Sequence, residues 1–441
     1  MRLLGQAIFL VCIAFFLSAS TEAQQQKPCS MADGNANMDL TESMSGLHDI
    51  VLQHLSSGTD VEPGSTPSAM WMGRGHGWNF MFHGVIFVDD IQQSGPRGGD
   101  KFFSTDWGMA MAQKGVGPGE LTLRWMFSLD PATVMERRYP ELFQVGETAF
   151  GRPIVDGQHP HDLFMEIGAF YDWKLGERSL LSIYAAPVGD PALGPVAYPH
   201  RSSATEDPLA PLGHHQQDSS HIADEVVTAG YTYRFLRAEF SGFHGREPNE
   251  NRWNIDAGAI DSWAARLTVN PSANWSGQFS IGTLKSPEVL SPQENQRRTT
   301  ASISYNRPLQ NGNWATSLIW GRTRSQFTGG KLNSYLAEST LRFLSRNAVW
   351  GRVENVDRTN LLLIGSNPLP PGFEEQFLAR VQAYSAGYDR DFNWVPRVST
   401  ALGAQVTLYH APAFLDAIYG ANPVGVVMFV RFRPKSSMPH H

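Results

Sequence analysis

The sequence has few cysteines, few charged residues and, beyond its N-terminus, no apolar run long enough to cross a bilayer as a helix. Only two cysteines occur in 441 residues, Cys12 and Cys29. If the N-terminal segment is removed, Cys29 remains alone, so a disulfide within one chain is excluded and packing must hold the fold. The missing apolar runs exclude a helical membrane protein. Charged residues make up 17% of the chain and the formal net charge is −7, which argues against a nucleic-acid partner.

The N-terminus has the parts of an export signal. Met1 and Arg2 form a short basic start, residues 3–17 are mostly apolar, and small residues around Ala23 offer a cleavage site. The apolar run is shorter than the roughly 20 residues that span a bilayer as a helix, which disfavours the alternative of a membrane anchor. We therefore predict that residues 1–23 are a cleaved signal peptide.

Alternation of apolar and polar residues is the dominant pattern from residue 76 to residue 433. Between Glu120 and Asp130, the residues Leu121, Leu123, Trp125, Phe127 and Leu129 share one face, and polar side chains occupy most of the other. The pattern recurs about sixteen times, with segments near the 9 to 11 residues that a tilted strand needs to cross a bilayer. Soluble sandwich strands, the alternative, are usually shorter, about 5 to 6 residues.

The connections between these segments alternate between tight turns and long polar loops. Short, turn-forming stretches such as 114–119 and 176–178 alternate with long stretches such as 131–161 and 190–225. This is the organisation of an up-and-down barrel with short periplasmic turns and long extracellular loops. The predicted fold class is therefore all-β, a transmembrane antiparallel β-barrel of about 16 strands over residues 76–433, with both chain ends in the periplasm.

By this architecture the chain resembles the porin-like β-barrels of the Gram-negative outer membrane, over about 355 residues. The resemblance implies an outer-membrane location, contact with lipid and lipopolysaccharide, and insertion by the outer-membrane assembly machinery; a homo-oligomer is compatible with it. Phe429 and Phe432 suit the terminal aromatic that this machinery reads, although a tail, residues 434–441, follows them.

The segment 24–75 precedes the barrel and is polar and rich in serine and glycine. Residues 40–55 form one amphipathic stretch, bearing Leu47, Ile50, Val51 and Leu55. A periplasmic helix, a lumen plug and a flexible lead all suit this composition. We expect a mostly disordered periplasmic lead with one helix.

Histidines concentrate in three long loops that the topology puts on the outer side. The candidate ligands of a zinc or copper ion are His159, His161, His214, His215, His221 and Asp218. In extended backbone, His159 and His161 point the same way about 7 Å apart. The alternative is that these residues hydrogen-bond to one another and fold the loops inward without metal.

Methionine is unevenly distributed, with ten of 14 between residues 31 and 135. Met31, Met38, Met44, Met70, Met72 and Met81 are interspersed with His48, His54, His76 and His83. Thioether and imidazole together suit copper, especially Cu(I). The segment faintly resembles the Met/His-rich leads of outer-membrane copper-resistance proteins, without their repeated units. For Met109, Met111 and Met126 we expect packing.

The main functional hypothesis is a passive porin-like channel for small solutes. Its expected lumen-lining residues, which either line a wet lumen or pair across it, are Arg124, Glu166, Asp172, Lys174, Arg266, Glu338, Arg352 and Glu354. The alternatives are a metal-binding surface protein anchored by its barrel, and a surface hydrolase using His161 with Asp162 or His221 with Asp224. Because the sequence carries none of the common hydrolase or phosphate-binding motifs, we expect no enzymatic activity.

Overall fold

The computed structural model describes residues 47–53, 56–218, 222–365, 372–392 and 394–435. The predicted signal peptide and residues 436–441 of the predicted tail lie outside these ranges. The described strands are β1 (Trp71–Gly75), β2 (Trp78–Gln93), β3 (Asp100–Val116), β4 (Gly119–Phe127), β5 (Tyr139–Ala149), β6 (Arg152–Gln158), β7 (Phe164–Gly176), β8 (Ser179–Gly189), β9 (Ala223–Tyr233), β10 (Leu236–His244), β11 (Ser262–Ser272), β12 (Trp275–Leu284), β13 (Gln296–Leu309), β14 (Gly312–Ser325), β15 (Lys331–Phe343), β16 (Asn347–Thr359), β17 (Phe377–Asp391), β18 (Val398–His410) and β19 (Val424–Pro434).

Helices are short throughout the described ranges. They are α1 (Leu47–Gln53), α2 (Asp130–Thr133), α3 (His214–Gln217) and α4 (Asp416–Tyr419), with 3-10 turns at Met135–Arg137, Asn360–Leu363 and Ala413–Leu415. Within these ranges, none of the helices has both the length and the apolar character needed to cross a lipid bilayer.

Sixteen of the described strands form one closed antiparallel barrel. Each of β2 to β4 and β7 to β19 pairs with the next barrel strand along the chain, and β4 pairs with β7 across the inserted β5–β6 hairpin. The ring closes where β19 pairs with β2, from Gly425 opposite Gln93 to Phe432 opposite Ile86. Closure removes the exposed edges that an open sheet would present. The predicted all-β, up-and-down barrel of about sixteen strands is confirmed.

The faces of the barrel follow the alternation of the sequence. In β4, Leu123 and Trp125 point outward and are 44% and 49% exposed, whereas Arg124 and Met126 point inward and are 4% and 3% exposed. Exposed apolar side chains continue around the outer surface at Ile183, Phe240, Leu267, Phe279, Leu318, Val353, Val406 and Met428. The outside is therefore apolar and the inside polar, as a transmembrane barrel requires.

The two ends of the barrel differ in the length of their connections. At one end, turns of two or three residues link the strands, as at 117–118, 177–178 and 344–346. At the other end the connections are mostly long, as at 190–222 and 245–261. The predicted alternation of tight turns and long loops is therefore present in the structure.

Among the described residues, three segments occupy the lumen. They are residues 56–66, the β5–β6 hairpin and residues 190–218 of the connection 190–222. The hairpin and this connection join the inner faces of the barrel strands in an apolar cluster that includes Phe143, Leu212, Val381, Tyr409 and Tyr419. The connection contributes further buried residues along most of its length.

The described part of the segment 24–75 is packed against the barrel wall instead of forming a free lead. In α1, Leu47, Ile50 and Val51 are buried against Leu180 of β8, so the amphipathic stretch is helical over its described residues. The following backbone is bonded to the lumen wall: Arg124 donates to Ser56 O at 2.5 Å, Ser276 Oγ donates to Val61 O at 2.9 Å and Asn306 Nδ2 donates to Ser65 O at 2.6 Å. Inward polar side chains satisfy this backbone, which explains the difference from the expected periplasmic lead.

Candidate functional site

The inner wall of the barrel carries buried arginine–carboxylate pairs between neighbouring strands. Burying a charge without a partner costs several kcal/mol, so each guanidinium lies against a carboxylate. The pairs, with their closest N–O distances, are Arg124 with Glu166 at 2.8 Å, Arg266 with Glu239 at 3.0 Å and Arg352 with Glu338 at 3.2 Å.

The same pairs hold the inserted segments in place. Glu338 Oε1 lies 2.5 Å from Arg201 Nε of the connection 190–222. Arg352 Nη1 lies 2.9 Å from Asp207 Oδ2 of the same connection. Arg266 contacts Asp60 of the N-terminal segment. The wall charges therefore pair with segments inside the lumen as well as with one another.

Seven of the eight predicted lumen residues are buried inside the barrel: Arg124, Glu166, Asp172, Arg266, Glu338, Arg352 and Glu354. Glu354 accepts a hydrogen bond from the backbone N–H of Gly213, at 3.2 Å. Lys174 lies instead at the short-turn rim, where its side chain is 43% exposed and its Nζ lies 3.1 Å from Glu120 Oε2. Its position near the end of β7 leaves this side chain in contact with solvent.

A cavity of about 360 Å³ remains at the long-loop end of the barrel. Its lining has seven carboxylates and four cationic side chains, namely Glu147, Glu247, Glu250, Glu288, Glu294, Asp357 and Glu375, and Arg252, Arg298, Lys331 and Arg358. His215 also lines it. The excess of carboxylates favours cations in this space.

Three histidines meet beside this cavity. Nitrogen atoms of His159, His214 and His215 all lie within 4.8 Å of one another. His159 follows β6, and α3 carries the other two. The ring centroids of His214 and His215 are 4.2 Å apart, and those of His159 and His215 are 5.5 Å apart. Three imidazoles at this separation are a donor set that suits zinc or copper, which bind imidazole in its neutral form.

Oxygen atoms near the Nδ1 atoms orient these rings. His159 Nδ1 lies 3.1 Å from Pro160 O and His214 Nδ1 lies 2.8 Å from Pro211 O. His215 Nδ1 lies 3.8 Å from Glu247 Oε1. Such acceptors hold a ring in the orientation that directs Nε2 at a metal. Glu147 Oε1, 3.1 Å from His159 Nε2, provides a carboxylate at the same place.

Glu247 is an acidic residue of this site whose pKa is clearly shifted. Burial alone raises the pKa of this carboxyl, but the proximity of His215 and the charge and hydrogen bond of Arg298, whose Nη2 donates to Glu247 Oε1 at 3.2 Å, outweigh burial and lower the pKa to about 2. Glu247 is therefore ionised at neutral pH and places a fixed negative charge beside His215.

The other predicted ligands lie elsewhere. His161 Nδ1 is 2.8 Å from Asp130 Oδ2, and Asp218 is 3.9 Å from Arg201; His221 lies outside the described residues. Asp162, the predicted hydrolase partner of His161, pairs with Arg252 at 3.1 Å. In the described part of the chain, His161 and Asp162 are thus each paired with a different group, and the hydrolase role suggested for them stays a prediction.

No pattern in the sequence indicated that the β5–β6 hairpin contributes to this site. Gly146 has φ of +135°, and a Cβ there would lie 2.8 Å from His215 Nε2, so only glycine leaves room for that ring. The next residue, Glu147, has φ of 57°, a left-handed conformation that is strained for a residue with a side chain. In this conformation the Glu147 carboxylate lies 3.1 Å from His159 Nε2.

Comparisons with known proteins agree with the barrel fold. No protein-family model matches the sequence, and no curated protein matches it. Among solved structures, the chain is similar to an anion-selective porin from Comamonas acidovorans, with a TM-score of 0.51 and 12% identity over 81% of this chain and 99% of that one. It is also similar to OprB of Pseudomonas putida, with a TM-score of 0.49 and 10% identity over 81% and 94% of the two chains. With sixteen described strands closed into one antiparallel ring, the chain has the porin-like β-barrel fold.

Proposed function

We propose that the protein is a narrow outer-membrane channel for the passive passage of small solutes, with a preference for cations and no catalytic activity. The observation that carries this proposal is the closed ring of sixteen described strands, apolar outside and charged inside. Barrels of this strand number enclose a lumen wide enough for an aqueous path. Lipid and lipopolysaccharide surround the barrel, and the outer-membrane assembly machinery inserts it.

The inserted segments make the proposed channel narrow. Residues 56–66, the β5–β6 hairpin and the connection 190–222 occupy space that is open in a wide pore. Passage is therefore restricted to solutes that fit the remaining cavity of about 360 Å³ and the paths beside these segments. The excess of carboxylates around that cavity supports the preference for cations.

The experiment is a planar-bilayer recording on the purified, folded protein in a KCl gradient. We expect a small conductance. We also expect a zero-current potential whose sign shows that cations pass more readily than anions. Glu288→Gln with Glu294→Gln, both in the cavity lining, should move that potential toward zero. Glu120→Gln, at the opposite rim beside Lys174, is the control and should leave the potential unchanged. Absence of conductance from folded protein would reject the channel, and an anion preference would reject the role of the cavity.

A second candidate function is binding of zinc or copper at the outer end, with the barrel as the anchor. The convergence of His159, His214 and His215 supports it. Metal analysis of the folded protein should detect zinc or Cu(II) bound at this site, with loss in the His159→Ala and His214→Ala variants. His244→Ala, at the end of β10 and outside this group, is the control. Equal metal content in all of these proteins would remove this candidate.

A further inference from the structure

A row of three inward side chains crosses the barrel wall at one height. His83 on β2 lies opposite Met109 on β3, and Met109 lies opposite Met126 on β4. Because directly opposed residues of neighbouring strands project from the same face, all three side chains enter the lumen side by side. Met109 and Met126 are buried, at 0% and 3% exposure.

The connection 190–222 adds a second imidazole over this row. His83 Nε2 lies 3.1 Å from Met109 Sδ, and His200 Nε2 lies 3.3 Å from Met126 Sδ. The two imidazole centroids are 5.8 Å apart. The structure thus holds two nitrogen–sulfur pairs next to each other, from three barrel strands and one inserted loop.

The distances within the pairs match those between two ligands of one ion. Metal–nitrogen and metal–sulfur bonds of about 2.0 to 2.3 Å at tetrahedral angles put neighbouring ligand atoms roughly 3.5 Å apart. The alternative is a weak hydrogen bond from each imidazole to a thioether, combined with packing of sulfur against aromatic rings. A thioether is a poor hydrogen-bond acceptor, however. Weak hydrogen bonding would therefore not by itself explain why two imidazoles in one cluster both point at thioethers.

We propose that His83, Met109, Met126 and His200 form a binding site for a soft monovalent metal ion, Cu(I). Two thioethers and two neutral imidazoles are ligands that select Cu(I) over harder ions. These four ligands carry no negative charge to compensate that of the ion. The free-energy cost of burying an ion rises with the square of its charge, so burying a monovalent ion costs about a quarter as much as burying a divalent one.

Trp107 supports the same assignment. Its ring centroid lies 4.2 Å from that of His200 and, edge to face, 5.2 Å from that of His83. An indole beside the two imidazoles shields the site from water and offers an electron-rich face to a cation. His83 and His200 are themselves only partly buried, so an ion has access from the lumen.

The site is separate from the three histidines beside the cavity, since the two share no residue. It also differs from the copper interpretation based on the N-terminal methionines. Of those residues, Met31, Met38 and Met44 lie outside the described ranges, and Met72 is exposed on β1. Met109 and Met126, for which packing was expected, do pack in a buried apolar cluster, and they are also the thioethers that the fold brings to imidazoles.

The experiment is anaerobic titration of the full folded chain with Cu(I) against the chelator bicinchoninate, followed by X-ray absorption of the bound copper. The test variant is Met109→Leu with Met126→Leu, which preserves side-chain volume. We expect it to bind about one equivalent less Cu(I) than the wild type and to lose sulfur from the copper shell. Met428→Leu, on the lipid-facing surface, is the matched control and should keep both. His200→Ala changes only the loop ligand and should weaken binding without altering a barrel strand.

Folding of each variant is checked by heat-modifiable migration in gels, so a misfolded variant is recognised. Zinc binding by the three histidines should be unchanged in the Met109→Leu, Met126→Leu protein. Channel conductance is measured separately, so that loss of the Cu(I) site is distinguished from loss of the channel. Equal Cu(I) content in the double variant, the His200→Ala variant and the wild type would overturn the site. A copper shell without sulfur in the wild type would overturn it as well.

Discussion

Replacing Glu338 by glutamine tests whether wall charges hold the inserted connection inside the lumen. Glu338 is 3% exposed on β15. Its Oε1 lies 2.5 Å from Arg201 Nε and its Oε2 lies 3.2 Å from Arg352 Nε, and Ser203 Oγ donates to Oε1 at 2.8 Å. Glutamine keeps the volume but removes the negative charge and replaces one acceptor oxygen with a donor.

The expected loss follows from the burial of the pair. Removing one partner of a buried ion pair costs about 3 to 5 kcal/mol, because the remaining charge is left uncompensated in a poorly solvated place. In this protein two guanidiniums lose the same carboxylate. Because Arg352 keeps Asp207 at 2.9 Å, the loss falls mainly on Arg201, whose shortest ion pair is the one with Glu338. We expect Glu338→Gln to lower the free energy of unfolding by about 3 to 5 kcal/mol and to raise the conductance, because Arg201 belongs to the connection that fills the lumen.

The assay is urea unfolding of the protein in detergent micelles, with planar-bilayer conductance recorded on the same preparations. Glu120→Gln is the matched control, since its partner Lys174 is 43% exposed. An exposed pair of this kind is worth about 0 to 1 kcal/mol. If the two substitutions destabilise the protein equally, or if Glu338→Gln leaves the conductance unchanged, the wall charges do not hold the connection and the reasoning is refuted.

Three further expectations concern the lead, the histidine site and the lipid-facing surface. Burial raises the pKa of Glu62 from 4.5 to about 7, so its contribution to stability is fully present below pH 4.5 and is lost between pH 4.5 and about 7. Protection of residues 56–66 from hydrogen exchange, after correction for the intrinsic pH dependence of amide exchange, should therefore fall across this range, and Glu62→Gln should remove the fall. Gly146→Ala should weaken zinc binding at least about tenfold by displacing His215, and unchanged affinity in a metal titration would contradict the site geometry. Leu123→Arg on the outer face should lower the free energy of unfolding in bilayers by about 2 to 4 kcal/mol, and no loss would mean that this face does not contact lipid.

The barrel could be predicted because the sequence pattern that encodes it involves only neighbouring residues. Alternation places Leu123 outside and Arg124 inside whatever the rest of the chain does, since successive strand residues point to opposite faces. Turn-forming residues such as those at 177–178 mark the strand ends in the same local way. The strand number and the up-and-down order therefore follow from repeated short patterns.

The candidate sites were predictable only in part. His159, His214 and His215 were recognised as candidate ligands, but their separation from His161 and Asp218 depends on how the connection 190–222 folds back into the barrel. That path is decided by contacts between residues far apart in the chain, such as Arg201 with Glu338. No local pattern encodes such contacts.

By itself, the sequence determined a closed β-barrel with an apolar outside, because the period of two along each strand is a property of neighbouring residues. Only the tertiary structure decided that the lumen is filled, that three of the predicted ligands meet, and that His83 and His200 face Met109 and Met126. The physical reason is that strand register and loop insertion bring together side chains from distant segments, and their charges and ligand atoms acquire partners only in the closed ring.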